Sequence, residues 1–384
     1  MLRVSIAKCK SYDKSEVLNA VENAISGIGF KIKPGSKVLL KPNVLMGAAP
    51  EKAITTHPSV IDAVCTILDK KKCKIWIGES CGLVKKGGVL QAFEEAGIAK
   101  IARKHDARLV SFSKEKLRKV RNEQAAFEKE MHLPEILFNV DLIISLPKMK
   151  THTLMLFTGG VKNLFGCIPG GKKQQYHAIT GTKEKFANLL LDIWLNVKPA
   201  LTIMDGIEGM DGNGPGNGNI VKPGIIIASD NAIAMDIVAE RMIGFEGEVP
   251  TNAIALKRKL INPADIEVIG EEPRLNFVKP SAAVSKLPAW LSGFFLKRVV
   301  AYPHPNPKKC KNCWNCVKVC PVGAMEKRNE KDGPYCGKNK CIACYCCQEM
   351  CPYDAIELKR SVLFSISISA YYRVLNLFEK MRKE

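Results

Sequence analysis

The sequence predicts an α/β domain, with a mainly parallel sheet flanked by helices, followed by a small cysteine-rich domain. Up to about Gly270, short β-branched segments alternate with amphipathic helical segments, which is typical of consecutive β-α-β units. Ten of the 15 cysteines then fall between Cys310 and Cys351. Such clustering indicates a metal centre rather than a disulfide framework.

Each element of the α/β domain is predicted from its own apolar pattern. Strands are predicted where short runs are rich in Val, Ile and Leu. They are Val4–Cys9, Lys37–Lys41, Lys74–Gly78, Arg108–Phe112, Asp141–Leu146, Leu201–Met204 and Gly224–Ala228. Helices are predicted where apolar residues recur every three or four positions. They are Ser15–Ser26, Pro58–Lys71, Gly88–His105, Lys183–Val197, Ala232–Ile243 and Thr251–Leu260.

Four segments of the chain differ in composition. Residues 1–270 form the predicted α/β domain, and the proline-rich residues 271–305 are predicted to be a linker. The cysteine-rich domain is expected to cover residues 306–360, and residues 361–384 are predicted to form an amphipathic basic tail. The linker and the tail are expected to dock on the protein itself, with contact of the tail with a membrane surface or a partner protein as the alternative.

The formal net charge of +20 attracts anions of many kinds, including small anionic substrates and acidic proteins. Nucleic-acid binding is not expected, because no known module or aromatic-rich surface accompanies the charge. The sequence has no run of about 18 apolar residues, which is the length that spans a bilayer, and no apolar signal-peptide core at its start. Together with the cysteines, these features predict a protein of the reducing cytoplasm.

One cysteine spacing occurs twice in the second domain. Cys310-x2-Cys313-x2-Cys316-x3-Cys320-Pro321 is followed by Cys341-x2-Cys344-x2-Cys347-x3-Cys351-Pro352. Bacterial ferredoxins with two 4Fe-4S clusters have this spacing, and the fourth cysteine of each run binds the other cluster. The spacing predicts a small α+β ferredoxin-like domain with two 4Fe-4S clusters. The predicted ligand sets are Cys310, Cys313, Cys316 and Cys351 for the first cluster, and Cys341, Cys344, Cys347 and Cys320 for the second.

A basic segment with one histidine follows the strand predicted at Asp141–Leu146. It contains Lys148, Lys150 and His152, and two glycines follow a few residues later. In open α/β sheets, ligands bind beyond the carboxyl ends of the strands. Glycines also allow backbone amides to approach an anion at the start of a helix. The segment therefore predicts a binding site for a small anion.

This basic segment resembles the hallmark of the family known as domain of unknown function 362, whose members are often fused to a two-cluster ferredoxin. The resemblance covers most of residues 1–270. The other motifs that carry it are Lys41-Pro42-Asn43, Thr55-Thr56-His57-Pro58, Lys172 with His177, Asp205-Gly206-Ile207-Glu208-Gly209-Met210, Gly212-Asn213-Gly214-Pro215, and Asp230 with Asp236. One departure is Cys81, where the family pattern has proline. The resemblance implies the fold and the position of the site, but no general activity.

Two histidines are the candidate catalytic residues, because imidazole exchanges protons near neutral pH. They are His152 and His57. The side chains expected to bind the substrate are Lys148, Lys150, Lys162, Asn163, Lys41 and Asn43. Structural roles stay open for several of them, such as capping of the helix that begins at Pro58 by His57.

These features favour an iron–sulfur oxidoreductase of an anaerobic organism. A low-potential donor protein would reduce the clusters, and the electrons would pass to a small anionic substrate or cofactor in the α/β domain. Two alternatives stay open: an electron carrier that docks a partner enzyme, and a non-redox lyase, racemase or cofactor-assembly enzyme with accessory clusters. A buried, lysine-lined site around His152 would favour an enzyme, whereas a flat exposed patch would favour the carrier.

Overall fold

The computed structural model describes residues 1–81, 88–169, 172–280, 302–329, 333–342, 344–353 and 355–359. The chain divides into two compact units, Met1–Pro280 and Ser281–Glu384. The predicted basic tail and residues 281–301 of the predicted linker lie outside the described residues.

A mixed, mainly parallel sheet forms the centre of the first unit, which confirms the predicted α/β fold class. The strands described in this unit are β1 Leu2–Lys8, β2 Lys37–Pro42, β3 Lys74–Glu79, β4 Arg108–Ser111, β5 Leu117–Arg121, β6 Glu130–Pro134, β7 Leu142–Leu146, β8 Lys148–His152, β9 Leu156–Phe157, β10 Leu201–Asp211, β11 Asn219–Val221, β12 Ile225–Ser229 and β13 Ile266–Ile269. The main path of the sheet is β13-β1-β12-β10-β7-β2-β3-β4. Five neighbouring strands of this path are parallel to one another: β10, β7, β2, β3 and β4. Strand β12 is antiparallel to both of its neighbours, β1 and β10.

Helices lie between these strands and supply much of the apolar core. Those described are α1 Lys14–Gly27, α2 Pro58–Lys70, α3 Gly88–Glu95, α4 Ile98–Lys104, α5 Gly160–Asn163, α6 Lys172–Thr180, α7 Lys183–Val197, α8 Ala232–Met242 and α9 Pro250–Lys257. The single helix predicted from Gly88 to His105 is wrong, because the segment forms α3 and α4. Gly97 separates them with φ of 71°, a left-handed conformation that glycine adopts without steric cost.

The carboxyl ends of β2 and β7 lie side by side, next to the first residues of β10, and position the candidate site. Lys41 is opposite Ser145 in the β2–β7 register. The chain leaves β7 and immediately forms β8, which pairs with the extended β10 and places Lys148 opposite Asp205. The lysine-rich segment after β7 is therefore a buried strand.

Residues 271–280 continue the fold of the first unit. The Leu275 amide donates to the Met242 carbonyl at 2.7 Å, and the Val278 amide donates to Asp211 Oδ2 at 2.9 Å. The start of the predicted linker therefore packs on the α/β unit.

The described residues of the second unit form two antiparallel strand pairs and two short helices, as expected for a small α+β domain. The described elements are β14 Tyr302–Pro305, β15 Met325–Asn329, β16 Gly333–Cys336, β17 Ile356–Lys359 and the helices Asn315–Lys318 and Cys346–Glu349. Strand β14 pairs with β17, and β15 pairs with β16. Each short helix lies within one of the two cysteine runs.

Candidate functional site

Two cavities in the second unit are lined by the two predicted ligand sets. The empty space in the first is about 300 Å³ and in the second about 290 Å³, and both figures include space open to solvent. The cysteines that line the first are Cys310, Cys313, Cys316 and Cys351. The cysteines that line the second are Cys320, Cys341, Cys344 and Cys347. Each cavity thus brings three cysteines of one run together with the fourth cysteine of the other.

Both cysteine runs have the same local geometry. Trp314 and Tyr345 adopt left-handed conformations, with φ of 60° and 61°, immediately before the two short helices. The Ala324 amide donates to Cys320 Sγ at 3.0 Å, and the Ala355 amide donates to Cys351 Sγ at 3.2 Å. Amide hydrogen bonds to sulfur favour the thiolate form that iron requires and contribute to the reduction potential of a cluster.

The donor set fits 4Fe-4S clusters. A cubane takes one thiolate on each of four iron atoms, so its cysteines surround a cavity and do not meet at one point. Among the described residues, no three His, Cys, Asp or Glu side chains converge as ligands of a single metal ion. Cys336 and Cys346 are also buried in this unit, but they belong to neither predicted set.

In the first unit, Lys41 is held by a buried carboxylate and an amide. Its ammonium group lies 2.5 Å from Glu79 Oε2 and donates to Asn163 Oδ1 at 3.2 Å. Asn163 also donates to the Lys41 carbonyl at 3.2 Å, and Asn43 donates to Asn163 Oδ1 at 3.3 Å. Three of the predicted substrate-binding residues are therefore bound to one another.

A second network contains Lys148 and the predicted catalytic His57. Lys148 Nζ donates to Asp205 Oδ2 at 2.9 Å and to the Tyr12 hydroxyl at 2.6 Å. The Tyr12 ring stacks on the His57 ring with their centroids 3.5 Å apart. His57 Nδ1 accepts from the Ser59 amide at 3.2 Å and caps α2. Burial lowers the pKa of His57, so its ring is neutral near pH 7.

His152 is fully buried at the end of β8. Its Nδ1 accepts from the amides of Leu154 and Met155, at 3.1 and 3.2 Å. In the neutral ring the proton is therefore on Nε2. Burial lowers the pKa of His152 well below 6.5, and the charges of Lys162, His177, Lys150 and Lys183 lower it further.

His177 lies among the same cations but was not among the residues predicted to form the site. Its ring centroid is 4.6 Å from that of Phe186 and 5.4 Å from that of Phe165. Lys162 Nζ lies over the same two rings, 5.1 Å from the Phe165 centroid and 5.6 Å from the Phe186 centroid. In the sequence, His177 was noticed only because it occurs with Lys172 in the family pattern. That pattern did not assign a role to either residue.

The amides after Gly159 already bind an acidic side chain of the protein itself. Asp236 accepts from the amides of Gly160 and Val161 at 2.6 and 2.9 Å. A side chain at Gly159 would overlap the Asp236 carboxylate. The expectation that these amides approach a substrate anion is therefore wrong, because the protein supplies the carboxylate itself.

Two buried thiols lie close to Glu79 and Lys41. Burial raises the pKa of Cys81 and of Cys167 to about 12 in each case. Lys173 donates to the carbonyl of Ser80 beside them. Both cysteines are neutral thiols near pH 7, so neither is an activated nucleophile.

Comparison with known proteins supports the predicted assignment of both parts of the chain. A 4Fe-4S dicluster domain matches residues 309–355, so the class defined by the second unit is that of iron–sulfur proteins that bind 4Fe-4S clusters. The family described as Domain of unknown function (DUF362) matches residues 38–241. The chain belongs to this family.

Two relatives illustrate these matches. The Thylakoid-associated protein sll1697 of Synechocystis sp. is 31% identical over 274 residues, which are 69% of this chain and 82% of that protein. The Polyferredoxin protein MvhB of Methanothermus fervidus is 33% identical over 88 residues, which are 22% of this chain and 19% of that protein. In the described parts of the chain, every helix is too short or too polar to cross a membrane.

A solved structure with partial similarity is the lactate racemase apoprotein from Thermoanaerobacterium thermosaccharolyticum. The TM-score is 0.40 and the sequence identity is 13%, over 65% of this chain and 57% of the racemase chain.

Proposed function

We propose that this protein is an iron–sulfur oxidoreductase. Electrons from a low-potential donor protein would reach a small anionic substrate or cofactor in the α/β domain by way of two 4Fe-4S clusters. The observation that carries the proposal is the burial of His152 and Lys150 at the carboxyl end of the sheet, with exposed fractions of 1% and 0%. Small ligands usually bind in enclosed sites, so a buried cationic site favours an enzyme. An electron carrier would instead need an exposed, flat docking surface.

Lys150 and Lys162 would attract the substrate anion through their charge. The charge of Lys148 is offset by Asp205. His152 would orient the substrate with a hydrogen bond from its Nε2–H, since Nδ1 accepts from two backbone amides. When bound, the clusters supply electrons singly.

The cysteine geometry supports two clusters in particular. Each of the two cavities has four lining cysteines, which is one complete ligand set for a cubane. We place the reaction in the reducing cytoplasm of an anaerobic organism, where such clusters persist.

A non-redox acid/base enzyme is the second candidate, and the network around Tyr12 favours it. Tyr12, His57, Lys148 and Asp205 are titratable groups that are connected by hydrogen bonds and by stacking of the Tyr12 and His57 rings. In that case the clusters would be accessory. Turnover would then persist, at least in part, after the clusters are removed.

Anaerobic reoxidation tests the two candidates. The purified full-length protein is reduced, freed of excess reductant and mixed with fractions of anionic metabolites, while the visible spectrum is followed. The variants are His152→Ala and, as a control, His132→Ala, which alters an exposed histidine on β6. Reoxidation by a fraction that requires His152 but not His132 supports the oxidoreductase. Clusters that stay reduced with every fraction refute it.

A further inference from the structure

The two cysteine runs differ in charge although they share one spacing. Residues 306–320, around the first run, contain four lysines and no acidic residue. The equivalent residues 337–351, around the second run, contain two lysines and one glutamate. Three lysines of the first run have no counterpart in the second: Lys308, Lys311 and Lys318 align with Asn339, Ile342 and Glu349. Because both runs have the spacing that binds a cluster, cluster binding does not explain this difference.

The three lysines are exposed and lie beside the first cavity. Lys308 and Lys311 are on either side of Cys310, and Lys318 is two residues after Cys316. Two residues of chain span at most about 7 Å, so each lysine is close to a predicted ligand of the first cluster. Lys311 itself lines the first cavity. A partner that covers this cavity would therefore contact the three ammonium groups.

A fourth cation reaches the first cavity from β15. Exposed Lys327 has its Nζ 4.8 Å from the centre of the Trp314 ring, and Trp314 lines the cavity. Tyr353, which is 46% exposed, also lines it. Aromatic side chains are enriched at the centres of protein interfaces, and polar residues form their rims. The first cavity, with two aromatic side chains in its wall and lysines around it, has this composition.

The second cavity has a different composition in the described part of the chain. Apart from its four cysteines, the residues that line it are apolar or aromatic, and Tyr345 among them is buried. Lys340, which precedes Cys341, pairs with Glu326 at 2.8 Å. The combination of exposed lysines with an exposed aromatic ring therefore belongs to the first cavity.

We propose that an acidic electron-donor protein docks on the surface around the first cavity and reduces the first cluster. The lysines of this docking surface are Lys308, Lys311, Lys318 and Lys327. The inference rests on the proposed function and deepens it, because it gives the charge of the donor, the surface that it binds and the cluster at which electrons enter. In each transfer the donor is oxidised by one electron and the first cluster is reduced by one, without a change in any covalent bond or proton.

The position of these charges favours a redox protein over a nucleic acid or a lipid surface. They surround a redox centre, so the partner that gains from binding there is one that exchanges electrons with it. Complementary charge mainly accelerates the encounter of two proteins. This suits a donor that must dissociate after each transfer.

Docking is tested without electron transfer by isothermal titration calorimetry at low ionic strength. The oxidised full-length protein is titrated with an oxidised plant-type 2Fe-2S ferredoxin of negative net charge. The test variant combines Lys308→Gln, Lys311→Gln and Lys318→Gln. The matched control combines Lys31→Gln, Lys33→Gln and Lys72→Gln, which removes the same charge from three exposed lysines of the first unit. The iron content of each variant is measured, so that loss of a cluster is not mistaken for loss of docking.

The wild type and the control should bind the ferredoxin, and the test variant should bind it at least about tenfold more weakly. In anaerobic stopped-flow mixing, the rate of cluster reduction by the reduced ferredoxin should fall by a similar factor. This rate difference should disappear in about 1 M salt, where the Debye length is about 3 Å. Reduced methyl viologen, a small cationic donor, should reduce the test variant at least as fast as the wild type.

Three results would overturn the inference. The first is that the ferredoxin fails to bind the wild type, or binds the test and control variants equally well. The second is a rate difference that persists in high salt, which would indicate a changed reduction potential and not a docking surface. The third is that vesicles of anionic phospholipid, titrated in parallel, bind through these lysines while the ferredoxin does not.

This experiment separates the docking surface from the proposed redox function. If docking depends on the three lysines but no anion reoxidises the reduced clusters, the docking surface stands and the oxidoreductase fails. If a metabolite reoxidises the clusters while the test and control variants bind the ferredoxin equally well, the oxidoreductase stands and the docking surface is wrong.

Discussion

Replacing Glu79 with glutamine would leave the ammonium group of Lys41 buried without its counter-charge. Lys41 is 0% exposed and Glu79 is 2% exposed, and the charged atoms are 2.5 Å apart. Removal of one partner from a buried ion pair costs about 3–5 kcal/mol. Asn163 and the Pro42 carbonyl remain as neutral acceptors, so we expect a value near the lower end, about 3 kcal/mol.

Anaerobic urea denaturation, followed by tryptophan fluorescence, measures this cost. Trp76 lies in β3, the strand that ends at Glu79, and reports on this region. The control is Glu22→Gln, which breaks an exposed pair with Lys70 at 2.8 Å and should cost at most about 1 kcal/mol. Adding Lys41→Met to Glu79→Gln should restore part of the stability, because the unpaired charge is then absent. A cost for Glu79→Gln no larger than that for Glu22→Gln would refute the reasoning.

Three further predictions concern the clusters, a histidine and a glycine. Cys351→Ser should lower the iron content from about eight to about four atoms per chain after anaerobic reconstitution, and an unchanged content would contradict the assignment of the cavities. The pKa of His177 is lowered from 6.5 to about 3 in the folded state, so the unfolded chain binds more protons in this window and stability falls as the pH drops through it. His177→Phe should reduce that slope by at most about 1.4 kcal/mol per pH unit, and equal slopes in denaturation series would argue against a buried neutral ring. Gly159→Ala should destabilise the fold by roughly 1–3 kcal/mol through overlap with Asp236, and a thermal melt at the wild-type temperature would disprove this contact.

The apolar strands and the cysteine runs could be predicted from sequence because their signals are local. Val, Ile and Leu fill strands such as β2 and β7, which are buried on both faces, as is usual in parallel sheets. The cysteine spacing predicts the ligand sets directly, because the first three cysteines of each run bind one cluster and the fourth binds the other. These signals do not depend on distant parts of the chain.

The buried lysines could not be predicted, because their partners are distant in sequence. Lys148 is buried with Asp205 of β10 and the Tyr12 hydroxyl as its partners, whereas a lysine-rich segment without such partners resembles an exposed loop. Tyr12 follows β1 without any motif, yet it contacts His57 and Lys148. Similarly, no local pattern indicates that Asp236 binds the amides of Gly160 and Val161.

The central claim is that electrons from the clusters reach an anion in the α/β domain. Its most direct test counts the electrons that the reduced, desalted full-length protein loses when the anion that it binds most tightly is added under anaerobic conditions. The account predicts a loss of about two electrons per chain, one for each 4Fe-4S cluster, at a rate that falls strongly in His152→Ala. Full retention of both electrons until a partner protein is added would contradict it and would make this protein an electron carrier.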